Sequence, residues 1–151
     1  EVEVVESLML ERSTAILDQL FALKQLGISI DMDDFGTGYS SLGYLWRFPF
    51  DKLKVDQSFM KALENGEPNV KEIVRTIVSL AHQMKMKVTT EGVETEEQAR
   101  FLASLGCDQL QGYFFGRPLP ARETAEKFLV GYRRNDRFGD GARSAAVRRI
   151  A

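Results

Sequence analysis

A regular alternation of short apolar runs with amphipathic segments is the feature that most restricts the fold of this chain. Strands alternating with helices form βαβ units around a parallel sheet. The sequence therefore predicts an α/β protein, either an open doubly wound sheet or part of a (β/α)₈ barrel. The predicted strands are residues 2–5, 28–33, 52–56, 87–93 and 109–115, and the predicted helices are residues 13–26, 40–46, 70–84, 95–105 and 121–130.

Local signals mark several of these boundaries. Asn69 with Glu72, and Thr95 with Gln98, have the spacing of capping boxes that open helices. A glycine directly after an apolar-periodic segment indicates a helix end. No GxGxxG or P-loop sequence follows the first strand, which weakens the doubly wound, nucleotide-binding alternative.

Composition excludes several classes of protein. The 151 residues are 44% hydrophobic and 28% charged, which suits one compact domain or part of a larger one. A net charge of −2 argues against a nucleic-acid partner. The single Cys107 excludes an internal disulfide and fits a reducing compartment. Because the chain starts on Glu1 rather than Met and enters a strand at once, we expect it to be a piece of a longer protein.

The character of the chain changes near its C-terminus. From Arg133 onward it carries six arginines, two aspartates and few large apolar residues. Such a composition cannot bury enough apolar surface to order a chain. We therefore expect a folded domain over residues 1–131 and a disordered, arginine-rich tail over residues 132–151.

Polar and mostly acidic residues collect where the predicted strands end. In parallel α/β proteins the functional site lies at the carboxyl ends of the strands. Crowded carboxylates either hold protons or share a cation, and oxygen ligands without a His–Cys set favour Mg²⁺ or Mn²⁺. Two such ions suit phosphoryl chemistry. The residues concerned are Glu3, Glu6, Asp33, Asp34, Lys54, Asp56, Glu91, Glu94 and Gln111.

Each of these residues also has a structural interpretation. Lys54 fits a salt bridge at a strand end, and Glu94 fits the favourable N-terminus of a helix. Gly36 and Gly38 fit either a phosphate cradle or a turn that needs positive φ. The only histidine, His82, lies within a predicted helix far from the acidic strand ends, so we expect a structural role for it.

Four ordered segments, "DDFGTGYSSLGYL", "LKVDQSF", "EGVETEEQ" and "CDQLQGYFFGRPLP", resemble the EAL domain family over roughly residues 1–130. The resemblance implies a (β/α)₈ TIM-barrel-like fold, of which this chain holds only the later β/α units. It also implies a cytoplasmic phosphodiesterase that hydrolyses cyclic di-GMP to linear pGpG with two Mg²⁺ or Mn²⁺ ions. The substrate cyclic di-GMP is thus the expected small-molecule partner.

The resemblance also assigns roles to single residues. Glu3 matches a metal-binding glutamate, Asp33 the aspartate that bridges the two metals, and Asp34 its neighbour at the second metal. Lys54 matches the lysine that contacts the catalytic water. Glu91 matches a glutamate that acts as general base or metal ligand.

Further positions match supporting residues of the family. Glu6 matches a glutamate that steadies the loop after the second strand, and Glu94 a second supporting glutamate. Gln111 matches a glutamine at the site. The loop covers residues 35–41, and in the family it couples the metal site to dimerisation; its candidate substrate- or loop-supporting residues here are Gly36, Thr37 and Gly38.

The chain also departs from the family pattern. The Glu-Ala-Leu motif and an asparagine of the family fall N-terminal to Glu1, and a whole barrel needs about 250 residues, so we expect residues 1–151 alone to be inactive. Val5 stands where threonine is usual, and Asp31 where a small or apolar residue is common. Because Asp31 alternates with Asp33, we expect it to be an accessory to the metal site.

Two functional hypotheses remain open on the sequence. One is an active phosphodiesterase in the parent protein, with a homodimer and an upstream sensor or GGDEF domain as candidate partners. The other is a degenerate EAL domain that binds cyclic di-GMP as a sensor or interaction module without cleaving it. A purely structural domain leaves the acidic strand ends unexplained.

Overall fold

The computed structural model describes residues 1–6, 8, 14–37, 42–48 and 50–124. Five parallel strands form one sheet in which each strand lies beside the next one in sequence. A doubly wound sheet reverses its strand order at a switch point, whereas a (β/α)₈ barrel does not. The α/β prediction is confirmed, and the order favours the barrel alternative. The strands are β1 Val2–Val5, β2 Ile30–Phe35, β3 Lys52–Val55, β4 Lys87–Thr90 and β5 Gln109–Leu110.

Helices connect the strands and cover one face of the sheet. They are α1 Thr14–Gln25, α2 Leu42–Leu45, α3 Gln57–Glu64, α4 Val70–Gln83, α5 Glu96–Ser104 and α6 Ala121–Thr124. Within the described ranges, no helix has both the length and the apolar character needed to cross a membrane. The predicted continuation of the last helix beyond Thr124 and the predicted tail lie outside the described residues.

The two faces of the sheet differ in chemistry because successive strand residues point to opposite sides. One set is apolar and fully buried in the core, and it includes Ile30, Leu53, Val55 and Val88. The alternate set is polar although it is also buried, and it includes Asp31, Lys52, Lys54 and Thr89. We call this second set the inner face. Its polarity is unusual, since barrel interiors are generally filled by branched apolar side chains.

Several predicted boundaries are wrong for local reasons. Thr95 and Gln98 form the capping box that was predicted there. Asn69 has φ 64° and makes no side-chain cap, so the capping box predicted at Asn69 is absent. The helix α3 was not predicted; Asp56 opens it by accepting a hydrogen bond from the Ser58 N–H at 2.9 Å. The fifth strand ends at Leu110 rather than at residue 115 because the chain turns there.

Two aspartates tie the amino ends of the strands together in the same way. Asp51, just before β3, accepts from the Ile30 N–H at 2.8 Å and from the Lys24 ammonium at 2.6 Å. Asp108, just before β5, accepts from the Val88 N–H at 2.9 Å and lies 3.0 Å from His82 Nε2. His82 therefore has a structural contact, at the end of the sheet opposite to the acidic residues.

The first of these ties should contribute measurably to stability. Partial burial works to raise the pKa of Asp51, but the hydrogen bonds from Lys24 and from Ile30 outweigh it, so the pKa is lowered. We expect Asp51→Ala to lower the free energy of unfolding by about 1–3 kcal/mol, measured by urea denaturation at pH 7. Lys24→Met, which keeps the Ile30 hydrogen bond, should cost about 1 kcal/mol or less.

The same pair gives an expected pH dependence. The pKa of Asp51 is lower in the folded protein than its ordinary value of 3.8. Such a carboxyl stabilises the fold fully when the pH is above that ordinary value. The difference between the unaltered protein and Asp51→Ala should therefore be full at neutral pH and shrink as the pH falls below about 4. A difference that grows towards acid would contradict this role.

Candidate active site

A buried lysine contacts acids from three other segments of the sheet. The Lys54 ammonium lies 2.8 Å from Glu3 Oε1, 2.9 Å from Asp33 Oδ1 and 2.8 Å from Glu91 Oε1. These acids come from β1, from β2 and from the residue directly after β4. Four of the predicted site residues are thus brought together, as expected from parallel strands that end at one edge of the sheet.

The surroundings of Lys54 keep it positively charged. Burial by itself lowers the pKa of a lysine. Here the hydrogen bonds to Glu3, Glu91 and Asp33 outweigh burial and raise the pKa of Lys54 above its ordinary value. At neutral pH the group is therefore a fixed cation, suited to orienting a polar group or stabilising developing negative charge rather than accepting a proton.

Asp34 follows Asp33 in a left-handed backbone conformation, with φ 55°. Aspartate tolerates this region better than most residues. The Asp34 N–H donates to Asp33 Oδ1 at 3.0 Å, which fixes the side chain of its neighbour. Burial, followed by the nearby charges of Asp33 and Asp56, raises the pKa of Asp34. The position has an excess of negative charge, which a cation would relieve.

The loop that starts after β2 is held by a buried glutamate. Glu6 is 5% exposed, and its Oε2 accepts from the Gly36 N–H at 3.1 Å. Gly36 has φ 95°, and an added Cβ would lie 2.6 Å from the ring of Phe59. Thr37 donates to the Asp34 carbonyl from both its N–H and its hydroxyl, at 3.3 and 2.9 Å. These contacts join the start of the loop to the aspartate pair, while Gly38 lies outside the described residues.

Two predicted supporting residues are placed less centrally. Glu94 is exposed, and its N–H donates to Gln98 Oε1 at 2.8 Å, within the cap of α5. Its carboxylate is not among the acids that contact Lys54. Gln111 is exposed just beyond β5, and its backbone bonds to Thr90 and Val93 at 2.9 and 3.0 Å. The supporting roles of Glu94 and Gln111 remain predictions.

Sequence reasoning singled out Asp31 but missed its two charged partners on the inner face, Lys52 and Glu1. The Lys52 ammonium lies 2.5 Å from Asp31 Oδ2 and 2.6 Å from Glu1 Oε1. Burial alone would lower the pKa of Lys52, but hydrogen bonds to Asp31 and Glu1 outweigh it and raise that pKa. The sequence pattern could have indicated both residues. Lys52 lies two positions before Lys54 and Glu1 two positions before Glu3, so each shares the face of a predicted site residue. We call Glu1, Asp31 and Lys52 the lower tier, and Glu3, Asp33, Lys54 and Glu91 the upper tier.

Cys107 can be set aside as a nucleophile. It is 2% exposed, and burial raises the pKa of its thiol to about 11. A thiol of this kind is almost wholly protonated at neutral pH and therefore unreactive.

The fold and the site together define a barrel-type α/β domain with carboxylates gathered around a lysine at the carboxyl ends of its strands. The chain belongs to the EAL domain family, since the family model described as "EAL domain" matches residues 1–118. The resemblance found in the sequence is thus confirmed.

Curated relatives agree with this assignment. The chain is 44% identical over 133 residues to the cyclic di-GMP phosphodiesterase NbdA of Pseudomonas aeruginosa, covering 88% of this chain and 17% of that protein. It is 46% identical over 121 residues to the bifunctional diguanylate cyclase/cyclic di-GMP phosphodiesterase MucR of the same species, covering 80% and 18%. The chain spans less than one fifth of the length of these relatives.

Solved structures agree as well. The PaMucR phosphodiesterase in complex with c-di-GMP superposes with a TM-score of 0.75 at 45% identity, over 80% of this chain and 49% of that one. Klebsiella pneumoniae BlrP1 in a manganese/cy-diGMP complex superposes with a TM-score of 0.68 at 34% identity, over 77% and 29%. The predicted fold, the later part of an EAL-type barrel, is confirmed.

Close backbone packing at Gly112 places the end of β5 against the end of β4. A Cβ at this position would lie 2.1 Å from the Val93 carbonyl oxygen and 2.3 Å from its nitrogen. Because backbone cannot yield as a flexible side chain does, we expect Gly112→Ala to lower the free energy of unfolding by about 3 kcal/mol, measured by urea denaturation. Gly66→Ala is the control: its φ is 68° but its Cβ would meet open space, so about 1 kcal/mol is expected. Equal losses in the two variants would contradict the packing argument.

Proposed function

We propose that the intact protein hydrolyses cyclic di-GMP to linear pGpG with two bound Mg²⁺ or Mn²⁺ ions. The observation that carries the proposal is the upper tier, in which Lys54 contacts three carboxylates at the carboxyl ends of the strands. The similarity to relatives named cyclic di-GMP phosphodiesterase supports the same reaction. The similarity to BlrP1, which was solved as a manganese/cy-diGMP complex, supports a divalent-metal requirement.

The residues present fit a pair of divalent ions. Two ammonium groups, of Lys52 and Lys54, face five contacting carboxylates, and Asp34 adds a sixth. The carboxylates outnumber the ammonium groups, so the site has an excess of negative charge that divalent cations would neutralise. The donors are all carboxylate oxygens, which hard cations such as Mg²⁺ and Mn²⁺ prefer. We assign the ions to Glu3, Asp33, Asp34 and Glu91.

Each part of the site has a proposed task. The bound ions would supply an activated water and neutralise charge on the leaving oxygen. Lys54, a fixed cation, orients that water and stabilises negative charge developing on the phosphate. Glu91, whose Oε1 lies 2.8 Å from Lys54 and whose side chain is 22% exposed, is the candidate general base or metal ligand. Glu6 holds the loop through Gly36, and so keeps Asp34 in position.

We also propose the wider setting of the protein. A net charge of −2 gives no support to a nucleic-acid partner, and the buried thiol of Cys107 fits a cytoplasmic location. The relative MucR combines two enzymatic activities in one chain, which supports an upstream sensor or GGDEF domain in this protein too. A homodimer coupled to the loop after β2 is part of the same proposal.

The enzymatic proposal is tested by product analysis. The intact protein with Mn²⁺ or Mg²⁺ should convert cyclic di-GMP to pGpG, measured by chromatography. Lys54→Ala should lower turnover by about 100-fold or more while changing ligand affinity much less, because the lysine acts mainly in the transition state. Lys87→Ala, at an exposed lysine of β4, is the control and should retain activity.

Two other results would lead to a different assignment. Tight ligand binding without product in the unaltered protein would favour a sensor. An equal loss of binding and turnover in Lys54→Ala would make this lysine a ligand clamp.

Residues 1–151 on their own should be far less active than a full-length EAL domain. Glu3 lies on β1, an edge strand of the described sheet, and its side chain is 49% exposed. Val2 and Val5 on the same strand are also exposed. A site with one wall open to water holds Mg²⁺ weakly. Hydrolysis and sedimentation of the expressed piece test this expectation, and a monomer with a rate near that of a full domain would contradict it.

A further inference from the structure

The two tiers of the inner face repeat one another at a spacing of two residues. The upper tier places Lys54 against Glu3 and Asp33, and the lower tier places Lys52 against Glu1 and Asp31. Each lysine is thus bound by one acid from β2 and one from β1 or the residue before it. The lower tier lies outside the set of residues that the proposed reaction uses.

Glu3 connects the two tiers. One of its carboxylate oxygens lies 2.8 Å from the Lys54 ammonium. It also lies beside the lower tier, since Glu1, Glu3 and Asp31 each offer an oxygen and these oxygens lie within 4.8 Å of one another. The register agrees, because Glu3 is the Cα partner of Asp31 across β1 and β2. The charge of the lower tier therefore acts directly on a proposed metal ligand.

Burial limits the screening of the two charges that Asp31 and Lys52 carry. Asp31 is 0% exposed and Lys52 is 6% exposed. Charges with little access to water are poorly screened by solvent and salt. Lys52 contacts two of the three converging carboxylates, those of Glu1 and Asp31, while Glu3 contacts Lys54 in the upper tier.

We propose that Asp31 and Lys52 are a positioning pair that sets the charge beneath Glu3 and thereby the divalent-ion affinity of the active site. The inference rests on the proposed function, because it takes Glu3 as a metal ligand. It assigns no bond between either residue and the ion or the substrate. Asp31 strengthens ion binding through its negative charge, and Lys52 limits it through its positive charge.

If Asp31 and Lys52 formed only a structural ion pair, the expected effects of substituting the two residues would differ from those of a positioning pair. Removing either partner of a buried pair leaves the other uncompensated and destabilises the fold. Both substitutions would then act in the same direction on every property. A positioning pair moves metal affinity in opposite directions for the two substitutions, whatever the loss of stability.

The experiment is a double-mutant cycle in the intact protein, with Mn²⁺ alone as the probe. Isothermal titration gives the Mn²⁺ affinity, and thermal unfolding in EDTA gives the metal-free stability. We expect Asp31→Asn to weaken Mn²⁺ binding about tenfold and Lys52→Met to strengthen it by a similar factor. The double variant, which restores the net charge, should return to within about threefold of the unaltered protein.

The chain offers a matched control pair. Lys24 and Asp51 form a second lysine–aspartate pair at 2.6 Å, on the α1 side of the sheet. Lys24→Met and Asp51→Asn make the same charge changes and should leave Mn²⁺ affinity unchanged. A similar shift in these controls would mean that net charge alone is responsible, and would overturn the inference.

The remaining outcomes also test the inference. Shifts of Mn²⁺ affinity in the same direction for Asp31→Asn and Lys52→Met, or no shift in either, would overturn the inference while leaving the proposed function in place. Should Lys52→Met fail to fold, Lys52→Gln takes its place, because only opposite shifts for the two partners separate a positioning pair from a structural one. Absence of Mn²⁺ binding in the unaltered protein would overturn the proposed function and the inference together.

Discussion

The ammonium of Lys54 is the interaction on which the arrangement of the site depends. Taking a lysine and several carboxylates out of water costs several kcal/mol for each ion, and this cost is offset only when the partners meet with good geometry. Lys54 meets three carboxylates at 2.8–2.9 Å, from β1, β2 and the end of β4. Without this cation the acids would repel one another and separate. The same contacts gather the groups that the proposed chemistry requires.

The polar inner face explains why the chain departs from the usual barrel interior. A barrel filled by branched apolar side chains is a packed core, whereas here alternate positions of β2 and β3 carry charge. Stability must then come mainly from the opposite face, where Ile30, Leu53 and Val88 are completely buried under the helices. The alternation of side chains along each strand thus places the stabilising apolar core on one face of the sheet and the charged site on the other.

Much of this could be predicted from the sequence. The parallel α/β fold and the meeting of Glu3, Asp33, Lys54 and Glu91 follow from strand–helix alternation and from the rule that parallel strands end at one edge. The helix α3 was missed because it has only 8 residues and its start depends on one side chain, that of Asp56. The end of β5 at Leu110 depends on the turn that follows it, which no local pattern in the sequence records.

The pairing of each strand with its predecessor in the chain has a consequence for how the protein folds. Every strand contact in the described sheet joins β-strands that follow one another in the chain. Pairing with the preceding strand closes a shorter segment of chain than pairing with a more distant strand would, which limits the entropic cost of loop closure. The ties made by Asp51 and Asp108 reach back only to the strand just before. Each strand of the described sheet therefore pairs with the one that directly precedes it in the chain, so the sheet can be extended one strand at a time.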